Sequence, residues 1–458
     1  MQKTATTYLL LITFVAAIGG FLFGYDWVVI GGAKPFYEAY FHLESDVALQ
    51  GWAMSSAIVG SFIGVLLSGG LADRYGRKPL IYTAAILFII SALGTGMASE
   101  LNSFIIYRIL GGVGIGVASN LAPMYIAEIA PAESRGKFVS VNQLTIVLGI
   151  LAAQIVNWLI AKPMLEGQPI LESWNGQEGW RWMFWAGAIP AIVFLILLLL
   201  IPESPRWLYN KGKLEKAERV FLRMGGEQYA ADNIRAIAEA ANLNSHKAGT
   251  RNLFRGKLFR LLLLGSFIAV FQQWCGINVI FNYAQEIFTA AGYTVSGMLF
   301  NIIITGVINV IFTFLGMYMV DRIGRRALML FGSAGLLVVY MALGACYYFN
   351  CSGIFVLLLV LSGIAVYAMT LAPVTWVIIA EIFPTAVRAQ AMAIATSLLW
   401  IACFILTYTF PLLNQNLGAA GTFWLYGGVC LIGYLFLWSR LKETKGKSLE
   451  EIEQELEG

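Results

Sequence analysis

The sequence predicts an all-α polytopic membrane protein: twelve transmembrane helices in two six-helix halves, joined by a cytoplasmic helical linker. Three observations predict it. The 458 residues are 59% hydrophobic and only 12% charged, against about 25% charged in a soluble domain. Apolar runs of about 20 residues, the length that a hydrocarbon core of ~30 Å requires, recur along the chain. Two short charged motifs also appear twice, once in each half of the sequence.

In chain order the spans are expected at 8–32, 48–70, 79–98, 102–125, 137–161 and 180–201, then at 258–289, 295–320, 327–349, 353–380, 387–413 and 421–440. The first run is too long for a signal-peptide core and has no convincing cleavage site, so it is kept as a span. Residues 202–257 differ from all of these. They are charged, open with Pro202-Glu203-Ser204-Pro205-Arg206-Trp207, and carry helical stretches at Leu214–Met224 and Ala230–Asn242. The expected division is a first half over 1–201, a linker of short helices over 202–257, a second half over 258–440 and a tail over 441–458.

Orientation follows from the basic residues. Only Lys34, Lys162 and Arg181 fall in odd-numbered loops, and Arg108 falls inside a span; all other Lys and Arg lie in the terminal segments and even-numbered loops. Both termini and the linker are therefore expected in the cytoplasm. The five cysteines show no metal-ligand spacing and read as small apolar residues, with Cys346 and Cys351 at most flanking an outer loop. His42 and His246 fall in expected loops, which argues against a histidine metal site in the membrane.

The halves repeat. Asp73-Arg74-Tyr75-Gly76-Arg77-Lys78 after span 2 matches Asp321-Arg322-Ile323-Gly324-Arg325-Arg326 after span 8. Glu128 and Arg135 after span 4 match Glu381 and Arg388 after span 10, with the same seven-residue spacing. Topology alone accounts for the arginines, but not for the paired acids or the shared spacing. Duplication with equal span parity makes parallel halves, an arrangement used for alternating access.

Span 7 carries Phe271-Gln272-Gln273-Trp274-Cys275-Gly276-Ile277-Asn278, with Asn282-Tyr283 soon after. Carboxamides in hydrocarbon are costly unless hydrogen-bonded, so these should face the bundle interior or a water-filled cavity. Each offers donors and an acceptor, which suits an uncharged ligand with many hydroxyls. On an ideal helix Gln273 and Asn278 would point about 140° apart. A break at Gly276 would bring them to one side. The alternative is that the amides only bond neighbouring helices together.

With these residues in view, the chain closely resembles the sugar porter family of the major facilitator superfamily, most of all its bacterial proton-coupled members. The resemblance spans nearly the whole chain. It rests on Gly24-Tyr25-Asp26, the two Asp-Arg-x-Gly-Arg motifs, Tyr107-Arg108-Ile109-Leu110-Gly111-Gly112, the Pro202–Trp207 motif, Gln272-Gln273 with Gly276-Ile277-Asn278, and Glu443-Thr444-Lys445-Gly446. It implies a single sugar bound between the halves, mainly by the second. The family's polar sugar ligands fall on Gln143, Gln272, Gln273, Asn278 and Asn309, its tryptophan of span 10 on Trp376, and its aromatic walls on Phe23 and Trp400. Where the family often has tyrosine this chain has Asn282, and Tyr283, which follows it, is taken as the substrate-binding residue there. The polar residue of span 11 in xylose-carrying members falls on Leu399.

Asp26 and Arg108 are the ionisable residues that stand out within spans. Rise per residue puts Asp26 about 27 Å from the inner end of span 1 and Arg108 about 9 Å from the outer end of span 4, depths that are compatible. A lone charge there is costly, so the two are expected either to pair permanently or to let Asp26 take a proton. The resemblance favours the second, because proton-coupled members carry aspartate at this position and facilitative ones a neutral residue. At the cytoplasmic end, Asp73, Arg77, Glu128, Arg135, Glu203, Arg206, Asp321, Arg325, Glu381 and Arg388 read as a latch whose ion pairs between the halves must part on opening, with the tail segment Ser448–Glu457 adding to the closure. Exposed pairs of about 0–1 kcal/mol suit a contact that has to release.

The expected function is import of a monosaccharide by proton symport in the cell (inner) membrane, with a facilitative uniporter or a non-transporting sensor as alternatives. The partners are a sugar, protons and the bilayer, with no nucleic acid, no cofactor beyond the proton gradient, and a functional monomer. An enzyme is disfavoured by the lack of an intramembrane His cluster, metal-ligand carboxylates or a Gly-x-Ser-x-Gly elbow. A drug exporter would favour an apolar, adaptable pocket over clustered amides.

Overall fold

The structure, a computed structural model, describes residues 3–130, 135–164, 168–246, 254–351, 353–383 and 387–445. Among these, eleven helices are long and apolar enough to cross a membrane. The last, within Arg388–Arg440, is interrupted by non-helical backbone at Gly418 (φ 67°, ψ 173°) and so supplies two spans, which makes twelve. No strand occurs among the described residues.

Spans 1 to 5 are Lys3–Tyr40, Val47–Tyr75, Arg77–Met97, Leu101–Ile129 and Arg135–Ile160. Span 6 joins Trp180–Ala186 to Ala188–Leu197. Span 7 is cut into Gly256–Trp274, Ile277–Asn282 and Ala284–Ala290; spans 8 and 9 are Val295–Ile323 and Arg325–Tyr348; span 10 is Gly353–Met369 with Leu371–Ile382. The linker holds Pro205–Asn210 and Leu214–His246, the latter broken at Gly226 (φ 82°), so its expected pair of helices is present.

The duplication is visible in the packing. Span 2 lies on span 4, span 1 on span 5 and span 3 on span 4; span 8 lies on span 10, span 7 on the Arg388–Arg440 helix, and span 9 on that helix and on span 10. Between the halves, span 5 meets span 8 and span 2 meets the Arg388–Arg440 helix. Apolar attraction between helices is weak in lipid, so close backbone approach has to supply the contact. Spans 2 and 4 achieve it with Gly60 and Gly64 against Gly112 and Gly116; a methyl group at Gly112 would sit 1.9 Å from the Ala57 carbonyl oxygen.

Span 1 departs from expectation. The Gly31-Gly32-Ala33-Lys34-Pro35 run reads as a helix end near residue 32, yet the helix continues through Pro35 to Tyr40. Lys34 is consequently not a loop residue but 1% exposed inside the bundle. The other two basic residues expected at this end are also held. Arg181 donates to the Gly96 and Ala98 carbonyls at 2.8 and 2.7 Å, where span 3 ends. The Lys162 ammonium lies 4.0 Å from the centre of the Trp174 ring.

Candidate functional site

Gly276 is the pivot of the second half. It adopts φ 87°, left-handed backbone that side chains with a Cβ avoid, and the helix restarts at Ile277 in a new direction. The break brings Gln273 and Asn278 together: Asn278 Nδ2 donates to Gln273 Oε1. Gln273 Nε2 then donates to Gln272 Oε1 at 2.6 Å, and Gln272 Nε2 to the Tyr367 hydroxyl at 2.5 Å. Four side chains thus form a directed chain from span 7 to span 10, with Gln272 and Gln273 buried. Gln272 and Gln273 each keep a second N–H, and Asn278, whose Nδ2 also reaches Cys403 Sγ at 3.9 Å, keeps its carbonyl oxygen, so the chain can present donors and an acceptor to hydroxyls.

The other expected site residues are less connected. Gln143 makes no side-chain hydrogen bond among the described residues, and neither does Asn309, which is 6% exposed. Trp376 keeps an open ring face at 38% exposure. Phe23 and Trp400 do meet, with ring centroids 6.2 Å apart, and Trp27 closes the triangle at 6.1 and 6.0 Å from them. Tyr283 stands elsewhere. It is fully buried, its hydroxyl donates to the Thr407 carbonyl at 2.6 Å, and its ring packs on Phe410. With no free surface or free hydroxyl proton, it serves the seam between spans 7 and 11 rather than the amide chain.

In the first half, Arg108 Nη1 donates to Asp26 Oδ1 at 2.9 Å and Nη2 to the Asp26 carbonyl at 3.2 Å. Arg108 is 1% exposed, with its guanidinium 5.6 Å from the centre of the Phe184 ring. The pairing expected from helix depth is present. It is incompletely satisfied: Asp26 Oδ2 and Arg108 Nε lack partners, as does the hydroxyl of Ser91 on span 3, which lies with Asp26 Oδ2 against Gly111. Beside them lies a cavity of ≈ 10 Å³ bordered by Asp26, Tyr25, Phe88 and Phe184, about the room that one water needs. A carboxylate with one free oxygen next to such a space can accept a proton without losing its arginine.

At the linker end the charged motifs close within each half. Arg77 pairs with Glu128 at 2.9 Å and with Asp73 at 3.2 Å; Arg325 pairs with Glu381 at 3.1 Å. Glu203 accepts from the backbone N–H groups of Arg77 (3.0 Å) and Lys78 (3.2 Å), and Glu443 from those of Arg325 (2.8 Å) and Arg326 (3.0 Å). Each carboxylate therefore caps the N-terminus of a span, in the place where the helix dipole favours negative charge. Arg206 sits exposed on the linker helix Pro205–Asn210. The expected pairs between the halves are not among the ion pairs described here. The side chains of Arg135, Asp321 and Arg388 and the tail segment Ser448–Glu457 lie outside the described residues. At the opposite end an ion pair does cross the halves: Lys34 of span 1 bonds Glu286 of span 7 as well as Glu38, the latter at 2.8 Å.

Sequence reasoning missed Tyr367, Trp27 and this crossing pair. Periodicity assigns no helix neighbours, so an unexceptional tyrosine on span 10 gave no signal. Lys34 was hidden by the apparent helix end at Pro35.

A duplicated bundle of twelve spans, with an amide chain in one half and an ion pair sealed in the other, is the architecture of a membrane transporter. The chain belongs to the Sugar (and other) transporter family, whose model matches residues 12–456. It is 39% identical to the D-xylose-proton symporter of Escherichia coli over 98% of this chain and 96% of that protein. The arabinose-proton symporter of Bacillus subtilis is 36% identical over 98% and 95%, and the glucose facilitated diffusion protein of Zymomonas mobilis 34% over 96% and 96%. Among solved structures, the inward open conformation of the E. coli xylose transporter superposes with a TM-score of 0.85 at 36% identity, covering 97% of this chain and 99% of that one. The same transporter bound to 6-bromo-6-deoxy-D-glucose gives 0.81 at 37% identity, covering 98% and 99%.

Proposed function

We propose that the protein is a sugar–proton symporter that imports a monosaccharide by alternating access, drawing on the proton gradient alone and working as a monomer. The observation that carries this is the buried Asp26–Arg108 pair with one carboxylate oxygen unpartnered beside a water-sized cavity. Residues 1–201 and 258–440 are taken as the moving halves, 202–257 as the linker and 441–458 as the tail. The distribution of Lys and Arg supports placing both termini and the linker in the cytoplasm, so the Lys34–Glu286 contact closes the outer face and the state described is inward-facing.

In this reading, hydroxyls of the sugar bond Gln272, Gln273 and Asn278 from one side, with Gln143 and Asn309 contributing from spans 5 and 8. Phe23, Trp27, Trp376 and Trp400 offer ring faces to the apolar C–H surface of a pyranose. Asp26 is protonated from outside and releases the proton inside.

The test is Asp26→Asn in proteoliposomes. The variant should exchange sugar across the membrane yet fail to accumulate it on an imposed pH gradient. Uphill uptake by the variant would remove Asp26 from the coupling. An unmodified protein indifferent to the gradient would make it a facilitator, like the glucose facilitated diffusion protein of Zymomonas mobilis.

A further inference from the structure

A second buried cluster of charge lies at the outer seam, and neither the amide chain nor Asp26 uses it. Lys34 and Glu38 stand one turn apart on span 1, and Glu286 lies on the last segment of span 7, so the cluster straddles the two halves. The side chains of Lys34 and Glu38 are 1% and 9% exposed, and that of Glu286 is 24% exposed. The helices touch backbone to backbone beneath it: a methyl group at Gly31 would lie 2.9 Å from the Phe281 carbonyl oxygen.

Two imbalances mark the cluster. One ammonium faces two carboxylates, which leaves an excess negative charge at a largely buried seam. Acceptors also outnumber donors. Both oxygens of Glu38 lie within reach of the Lys34 ammonium, but Glu286 Oε2 is buried without a hydrogen-bond donor, and the Tyr37 hydroxyl, likewise unpartnered, belongs to a fully buried side chain. The charged and titratable groups that face the cluster are Tyr37 and Glu44 from the first span and the loop after it, Arg108 from span 4, Tyr283 from span 7, and Tyr426 beyond it. Arg108 is committed to Asp26, and the Tyr283 ring lies 5.4 Å from the Lys34 ammonium without supplying a charge. No second cation among these relieves the excess.

Burying an uncompensated charge is costly, and two carboxylates that share one partner cannot both stay ionised cheaply. A proton on one of them balances the charge and supplies the missing donor. We propose that Lys34, Glu38 and Glu286 form a second proton-binding site, separate from Asp26, whose occupancy closes the outer seam. On opening, the shared proton returns to outer water, while Lys34 keeps Glu38 and is never stranded. The proton is taken from and returned to the same side, so the site biases the gate and adds nothing to the ratio of protons to sugar. This rests on the orientation inferred above, but not on Asp26 being the coupling group.

The experiment uses sugar exchange without a gradient, in the Asp26→Asn background, with external pH varied between about 8 and 5. Acid outside should favour the closed seam and weaken the apparent external affinity, by at most about tenfold per pH unit for one linked proton. Adding Glu286→Gln, which mimics the protonated carboxyl, should give the weakened affinity at every pH and a flat profile. Glu286→Asp should restore the slope. Should Glu286→Gln fail to insert, Glu38→Gln in the same background reads the same flattening. A flat profile in Asp26→Asn alone overturns the proposal, as does a slope that survives both Gln variants. Replacing external sodium by choline should change nothing; a sodium-dependent profile would assign the site to a metal cation instead. Failure of the symport reading would show in the accumulation assay and leave this profile untouched.

Discussion

The two halves share a backbone plan and divide the chemistry between them. The first half buries an ion pair, Asp26 with Arg108, and the second buries a chain of neutral amides ending at Tyr367. At the linker end the division disappears, and the same Arg–Glu pair and helix-capping glutamate occur in both. In the proposed function, a duplicated framework with divergent interiors separates the group that would take a proton from the groups that would hold sugar. Coupling between them then has to pass through the seam, where Phe23 and Trp27 meet Trp400.

The comparison breaks most severely if the amide chain is cut. Gln273 donates to Gln272 and accepts from Asn278, so Gln273→Ala strands both neighbours. At about 0.5–1.5 kcal/mol for each bond, sugar affinity should fall roughly tenfold or more, and Asn278→Ala should fall less. Both variants should still couple to protons whatever sugar they carry. Isothermal binding and gradient-driven uptake would check the two halves of that statement, and wild-type affinity in both would place the sugar elsewhere.

A subtler variant leaves every amide in place. Gly276→Ala forces a Cβ into left-handed backbone, at about 1–2 kcal/mol, and sets it 2.9 Å from a ring carbon of Tyr426. Affinity should fall by up to about one order of magnitude without loss of a polar group. A glycine-to-alanine change at Gly428, where a methyl group meets nothing within 4 Å, is the matching control. Equal effects at the two positions would mean that the bend does not organise the site.

The smallest effect sharpens the likeness at the linker end. Burial holds the Glu203 carboxyl above the usual carboxylate range, against the pull of the Ser204, Lys78 and Arg77 N–H groups. Burial also pushes Glu443 up, but four backbone N–H groups outweigh it and hold that carboxyl below the range. A depressed acid contributes stability that is present above its unfolded pKa and lost as pH falls through the folded one; a raised acid does the reverse. Glu443→Gln should therefore cost about 1 kcal/mol at neutral pH, with the difference from the unmodified protein vanishing in acid. Glu203→Gln should cost less at neutral pH. Thermal unfolding of the purified variants across pH would separate them, and identical profiles would make the two caps equivalent.

Much of this was legible in the sequence because the signals are local or periodic. Twelve spans, the duplicated motifs and the break at Gly276 follow from apolar run length, spacing and one glycine among amides. The Asp26–Arg108 pair followed from depth, because two charges at one level in hydrocarbon have few partners to choose from. Tyr367 and Trp27 were not legible, since nothing in one helix states which face meets which neighbour. Lys34 was misplaced for a clearer reason. Proline usually ends a helix, and here packing of span 1 against span 7 carries the helix past Pro35 for another five residues, to Tyr40. The expected latch pairs at the linker end are ones that must part in an inward-facing state, and the side chains of Arg135, Asp321 and Arg388 lie outside the described residues.

The two capping glutamates belong to different stretches of chain, one at the start of the linker and the other just past the last span. A chain made from its N-terminus has Glu203 in hand before any of the second half exists, so spans 1 to 6 can settle as a finished unit. In spans 7 to 12 the cap comes late. Span 9 begins at Arg325, but the carboxylate that caps it arrives 118 residues later, after every membrane segment has been made. The second half thus gains this cap only once its last piece has emerged, while the first half carries its own from the start of the linker.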